Sequence, residues 1–489
     1  MKPEGCLDHP TELEPPKRKH RERLWSVLIA CLSASFASFS FGYGMGYSSA
    51  AVTQLSDKDT KDLYLDKDEI TWFGSLLNIG AMIGGILGGY VIDLVGRKVA
   101  LMLTAVPFTA GWLMIGLGNS AALLNAGRFF SGLGVGMGSL IAPNYISETA
   151  PSRLRGSFGA FNQIGIVSGI LLSFVSGHYL DWRWSAIVGI SPPACLFLCM
   201  IFMPETARWL LAHNKEKRAE KTLKWLRGRD SNIQEEIEEI KESLISAEGK
   251  KQRMTFKDFT KPSLLRPFLI SMTLHLFQQT TGVNAVMFYC ATIFETAGFA
   301  ENSTMVSILI GIIQFFAACV ALTMIDRGGR RFLLIAGGAG MSASCFIMGA
   351  YFYVTLNPEH SSGIPDISWV AVTSVAVYIV GFAMSWGPCT WLLMSELFPV
   401  KARGTFSGIA TAFNWLCSFA VTKSFSAQLE VFTPAGTFWF FGGLAFCACV
   451  FVAVFVPETK GKSLEEIQLY FEKKDRKESS SEPVRESNV

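Results

Sequence analysis

The side chains placed to do chemistry in this chain are amides. Residues 278–286 read QQTTGVNAV, which sets Gln278, Gln279 and Asn284 between the apolar stretches FLISMTLHLF and MFYCATIF. An amide donates and accepts hydrogen bonds without charge, whereas an unpaired Lys or Asp at that depth carries a larger desolvation cost and suits a charged ligand. Gln278 and Gln279 are adjacent, about 100° apart on an ideal helix, and Gly282 gives that helix a place to bend or break. Other chemistry is missing from the sequence. No His/Cys cluster has ligand spacing, His275 reads as a helix-facing polar residue, and TKGKSL has Val456 where a Walker loop needs glycine. No catalytic residue, metal or cofactor is expected, and the chain does not read as an enzyme.

The elements that must hold these amides are membrane helices. Half of the 489 residues, 50%, are hydrophobic and only 17% are charged, and the mean hydropathy is +0.33. Both are well to the apolar side of an ordinary soluble chain. Apolar runs long enough to cross a bilayer recur at 25–47, 71–92, 99–118, 121–144, 157–179, 184–203, 266–291, 303–325, 332–355, 369–394, 403–423 and 435–456. The polar stretch MKPEGCLDHPTELEPPKRKHRER has no apolar core and does not read as a cleavable signal. Basic residues precede the first run at Lys17, Arg18, Lys19, Arg21 and Arg23. They return in every second connection, at Arg97/Lys98, Arg153/Arg155, Arg327/Arg330/Arg331 and Lys401/Arg403. That bias places both termini in the cytosol. The net charge of +3 is therefore a topology signal, the partner is a lipid bilayer, and no nucleic-acid footprint is present. Apart from Cys6, the cysteines lie inside apolar runs, where they read as small packing residues and not as disulfide partners.

The expected organisation is a cytosolic tail (1–24), a six-helix half (25–203), a hydrophilic linker (204–262), a second six-helix half (263–456) and a second tail (457–489). Apolar spacing in the linker, at Leu210, Leu223, Ile233, Ile237 and Leu244 among others, predicts short amphipathic helices serving as a connector under the bundle. The halves repeat one another. DLVGRK at 93–98 returns as DRGGRR at 326–331, SETAPSRLRG at 147–156 as SELFPVKARG at 395–404, and PET at 204 again at 457. Parallel halves related by an axis along the membrane normal are one way to hold a site at the bilayer midplane and rock around it. GGILGG at 84–89 and SGLGVGMG at 131–138 supply small residues for close helix approach.

These repeats, with QQTTGVNAV, WGPCTW and FNW, resemble the sugar-porter family of the major facilitator superfamily from about residue 25 to 470. FGYGMGYSSA, FYCATIFE, WGPCTWLLMSELFP and VTKSF are most similar to the third, often intracellular, class of animal facilitative hexose transporters. The resemblance implies an all-α membrane protein with the twelve-helix major facilitator fold, moving a hexose, with glucose foremost, by alternating access. A hexose is neutral and covered with hydroxyls that both donate and accept, which suits amides. Carried over by residue, the resemblance puts Gln163, Gln278, Gln279, Asn284, Trp391 and Asn414 in contact with sugar, with Ile166 and Ile170 as an apolar wall. Ala383, Thr390, Gln314 and Phe288 depart from the better-known glucose carriers, as does Leu276-Phe277, which replaces polar residues tied to glucose preference.

The resemblance also implies a cytosolic charge network of Asp93, Arg97, Glu148, Arg155, Asp326, Arg330, Arg331, Glu396 and Arg403 that latches the outward-open state. Proton-coupled relatives carry an aspartate in the first span facing an arginine of the fourth; here Gly44 stands at that position and Arg128 is retained. Uniport is the expected mode, with a proton-coupled symporter and a non-transporting sugar sensor as alternatives. The compartment is a plasma or an endosomal/lysosomal membrane. The sequon Asn302-Ser303-Thr304 lies in a short outer loop and is expected to carry little or no glycan.

Overall fold

The structure is a computed structural model that describes residues 24–58, 62–151, 154–228, 233–249, 262–299, 301–357, 367–398, 402–462 and 466–471. Among these, helices are the only regular elements. The first half contains α1 (Leu24–Ser56), α2 (Lys67–Val95), α3 (Arg97–Gly116), α4 (Ala121–Thr149) and α5 (Arg155–Tyr179), followed by a divided sixth span, α6 (Trp182–Val188) and α7 (Ser191–Phe202). Between the halves lie α8 (Ala207–Ala212), α9 (Glu216–Arg227) and α10 (Gln234–Gly249). The second half opens with a span in three pieces, α11 (Pro262–Thr280), α12 (Val283–Phe288) and α13 (Cys290–Thr296). It continues with α14 (Ser303–Gly328), α15 (Arg330–Leu356), α16 (Trp369–Gly381), a π-turn at Phe382–Trp386, α17 (Gly387–Leu397) and α18 (Arg403–Phe455).

Nine helices among the described residues are long and apolar enough to cross a membrane. The last of them, Gly404–Phe455, holds two spans that meet at a bend where Thr433 has φ 64° and Pro434 follows. With α4 and the broken α11–α13, these make the twelve-helix fold in two halves. Large apolar side chains such as Leu94 and Phe202, 78% and 79% exposed, face outward as they must in lipid.

Close packing follows the small residues. At Gly132 on α4 a Cβ would come within 2.2 Å of the Leu77 carbonyl oxygen on α2, and at Gly80 a Cβ would lie 2.2 Å from the Phe129 carbonyl oxygen. Backbones therefore touch where the glycine-rich strings predicted close approach. α2 starts at a capping box: Asp66 accepts from the Glu69 amide at 2.8 Å, and Glu69 accepts from the Asp66 amide at 3.1 Å.

The end of the bundle that carries α8–α10 is called the linker face, and the opposite end the far face. The three connector helices share a small core of Trp209, Leu210, Leu223, Ile233 and Ile237. They are tied to the bundle by Arg227, whose Nη1 donates to the Thr149 carbonyl at 2.9 Å, and by Trp209, whose Nε1 donates to the Asp93 carbonyl at 3.1 Å.

Candidate functional site

The seventh span breaks at Gly282, which adopts φ +95° in the left-handed region. An added Cβ there would also sit 2.6 Å from Phe441, so conformation and space both select glycine. The break lets amides from either side of it turn to one place. Gln279 Nε2 donates to Asn414 Oδ1 at 3.0 Å, and Asn284 Nδ2 donates to Gln279 Oε1 at 2.8 Å. Asn414 Nδ2 donates to Gln278 Oε1 at 2.8 Å, and Gln278 Nε2 donates to the Trp386 carbonyl at 2.9 Å. That carbonyl belongs to the π-turn, a local irregularity of the kind found at functional sites.

All four amides are buried. Asn414 Nδ2 also lies 3.1 Å from His275 Nδ1, so the neutral imidazole accepts there and carries its proton on Nε2, which has no partner among the described residues. Trp391 stands edge-on to His275, ring centroids 4.9 Å apart. Gln163 is half-buried on α5 and is not bonded to the cluster; its neighbour Asn162 accepts from Ser38 Oγ at 2.6 Å. Ile166 is half-buried, Ile170 is buried, and both belong to the main apolar core.

Sequence reasoning missed three residues that extend this layer. Ser418 Oγ accepts from Asn284 Nδ2 at 2.6 Å and donates to Asn78 Oδ1 at 3.0 Å, and Asn78 Nδ2 donates to Thr422 Oγ1 at 3.0 Å. The available signal was Asn78 itself, an amide inside the apolar run SLLNIGAM. Gln314, noted only as a departure, is buried with Oε1 unpartnered.

Arg128 is fully buried and pairs with no carboxylate among the described residues. Its Nε donates to the Phe73 carbonyl at 3.1 Å, Nη1 to the Gly44 carbonyl at 3.0 Å and Nη2 to Ser48 Oγ at 2.5 Å. The Phe73 ring lies 5.3 Å from the guanidinium carbon. A guanidinium satisfied by carbonyls and a ring is stable in an apolar bundle and has no titrating partner.

Beyond the amides the halves close on the far face. Lys67 pairs with Glu430 at 2.5 Å, Lys423 Nζ donates to Thr71 Oγ1 at 2.5 Å, and the Ala291 amide donates to Ser49 Oγ at 3.0 Å. A cavity of ≈ 480 Å³ lies at this end, walled by Tyr289, Phe352, Phe425 and Phe438 with Lys67 and Glu430 at its edge.

On the linker face, Arg97 pairs with Glu148 at 3.0 Å and lies 3.9 Å from Asp93, and Arg330 pairs with Glu396 at 3.2 Å. Each pair stays within one half. Arg331 makes no carboxylate side-chain pair among the described residues, and its guanidinium donates to the Ala453 carbonyl. The side chains of Arg155, Asp326 and Arg403, which belong to the expected charge network, lie outside the described residues.

Two six-helix halves, an uncharged polar layer at their seam and matching charge pairs on one face define a carrier of the major facilitator type. The family model for "Sugar (and other) transporter" matches residues 30–471. The bovine "Solute carrier family 2, facilitated glucose transporter member 8" is 39% identical over 91% of this chain and 94% of its own length. A "Facilitated trehalose transporter Tret1" from Bombyx mori is 39% identical over 91% of this chain and 87% of its own. The chain spans little more than half, 56%, of the Anopheles gambiae trehalose transporter it also matches. Among solved structures, a partially occluded inward open conformation of the xylose transporter XylE from E. coli superposes with TM-score 0.76 at 28% identity, over 90% of this chain and all of that one. The chain belongs to the sugar-porter family of the major facilitator superfamily, whose members are transporters and not enzymes.

Proposed function

We propose that this protein carries hexose by facilitative uniport, with glucose as the first substrate to test. The observation that supports this reading is the composition of the polar layer. Gln278, Gln279, Asn284 and Asn414 are buried together, and Arg128 is taken up by the Gly44 and Phe73 carbonyls. Amides without a titratable carboxylate suit a neutral polyol and leave the His275 imidazole as the one group in the cluster that could carry a proton. Gln163, Ile166, Ile170 and Trp391 complete the sugar site in this reading. The linker face is cytosolic, the charge network latches it when the far face opens, and the membrane is plasma or endolysosomal.

The similarity to trehalose transporters supports a second reading, in which a disaccharide is the cargo. Purified protein in liposomes decides between them. Counterflow of labelled glucose that trehalose fails to compete supports hexose carriage, and counterflow of trehalose alone overturns it. Binding of either sugar without counterflow identifies a sensor.

A further inference from the structure

We propose that Asn78 is a positioning residue that couples closure of the far face to the arrangement of the amide cluster, through a relay that runs from Asn78 to Ser418 to Asn284. The inference deepens the transport reading and rests on it where sugar is concerned.

Asn78 is the only link of this relay in the first half. Its single amide meets two hydroxyls one turn apart on α18: it accepts from Ser418 at 3.0 Å and donates to Thr422 at 3.0 Å. Thr422 completes its own requirement by donating to the Ser418 carbonyl at 2.7 Å. Ser418 has one proton and gives it to Asn78, which leaves its oxygen facing Asn284 as an acceptor at 2.6 Å. Asn284 thereby commits its Nδ2 donors to Ser418 and, at 2.8 Å, to Gln279. The donors that join Asn78, Ser418 and Asn284 are committed along this line while the far face is closed.

Opening the far face requires α2 to part from α18, and that motion removes Asn78 from both hydroxyls. The Ser418 proton must then turn to another acceptor, and Asn284 loses a partner whose direction Asn78 had set. An Asn284 donor becomes available to a ligand in the open state that is occupied in the closed one. Asn78 thus holds the carrier toward the far-closed state and makes the site differ between its two faces.

The test uses the full chain with Ser49→Cys, at a position buried between α1 and α13, as a reporter of far-face opening that needs no sugar. With a bulky maleimide, Asn78→Val is expected to raise the labelling rate about tenfold, the effect of two neutral hydrogen bonds lost from one state. Thr422→Val, which removes one of them, raises it about threefold and serves if Asn78→Val fails to fold. Adding Ser418→Ala to Asn78→Val should change little further, because the relay is already cut. In liposomes the ratio of linker-side to far-side half-saturation for glucose should rise in parallel; a merely destabilised protein loses flux from both sides and leaves that ratio unmoved. Unchanged labelling in a folded Asn78→Val or Thr422→Val protein overturns the coupling. Absence of glucose flux with labelling altered as expected overturns the hexose reading alone.

Discussion

Glu205 and Glu458 hold equivalent places in the two halves, each turning its carboxylate onto the first amides of a helix. Glu205 accepts from the Arg97 amide at 3.0 Å and from the Lys98 amide at 3.1 Å at the start of α3. Glu458 accepts from the Arg330 amide at 3.0 Å and the Arg331 amide at 3.1 Å at the start of α15. The glycine before each helix leaves room: a Cβ on Gly96 would lie 2.4 Å from Glu205, and one on Gly329 would lie 2.9 Å from Glu458. The repeated PET strings are thus anchors for the charge pairs of Arg97 and Arg330, and a negative charge suits a helix N-terminus.

The two anchors should respond to acid differently. Burial pushes the Glu205 carboxyl above its ordinary value. Burial also acts on Glu458, but backbone amides of Lys460, Arg330, Arg331 and Thr459 outweigh it and hold that carboxyl lower. A lowered folded value means stability that is full above the unfolded value and is lost as pH falls through the folded one. Glu458→Gln should therefore cost about 1–3 kcal/mol at pH 7 and progressively less below about pH 4.5. Glu205 has the opposite sign, since its ionised form is disfavoured in the fold, and Glu205→Gln should be milder at neutral pH. Thermal unfolding of both variants across pH checks this; equal losses at every pH would contradict it.

Removing a sugar-site amide should weaken hexose binding by about 1–3 kcal/mol. Alanine at Gln279 or Asn414 breaks buried hydrogen bonds as well as the proposed sugar contacts, whereas Gln163 makes no side-chain bond among the described residues. Gln163→Ala is therefore the cleanest measure: lower affinity with unchanged melting temperature is expected. Full uptake by folded Gln163→Ala, Gln279→Ala and Asn414→Ala proteins would remove these residues from the site.

A proton gradient should not concentrate sugar. With Arg128 bonded to the Gly44 carbonyl and no carboxylate paired with it among the described residues, liposomes under an inward proton gradient should reach equal hexose inside and out. Accumulation that a protonophore collapses would overturn uniport and direct attention to His275, the imidazole inside the amide cluster.

Asn302 should remain largely unglycosylated. It directly precedes α14, and the hydroxyl of Thr304 is held 2.8 Å from His178 Nδ1. Both features keep the sequon against the bundle instead of on an open loop. A glycosidase-sensitive mobility shift abolished by Asn302→Gln would refute this.

How far the sequence alone reached can be judged residue by residue. The break at Gly282 was legible because the glycine stands among polar residues, TTGVN, in the middle of an apolar span. The amides were legible as a group because uncharged polarity inside a span must be satisfied. Their mutual bonding was not, because Gln279 and Asn414 meet only when two spans distant in sequence pack together. Asn78 was passed over because a lone amide in a helix reads as an ordinary interhelical bond until its partners are known. The π-turn at 382–386 left no mark, since no residue type demands it. The charge network was legible as a set of repeats, but the structure shows the described pairs closing within each half.

The bend at Thr433-Pro434 carries a last consequence. Spans eleven and twelve pass into one another through a corner with no slack, and Thr437 Oγ1 braces it by donating to the Gln428 carbonyl at 3.0 Å. A displacement of one span is passed to the other through this corner, so in the proposed rocking motion the pair is expected to swing as a single strut. A fluorophore or epitope inserted at 433–434 is therefore expected to disturb both spans at once.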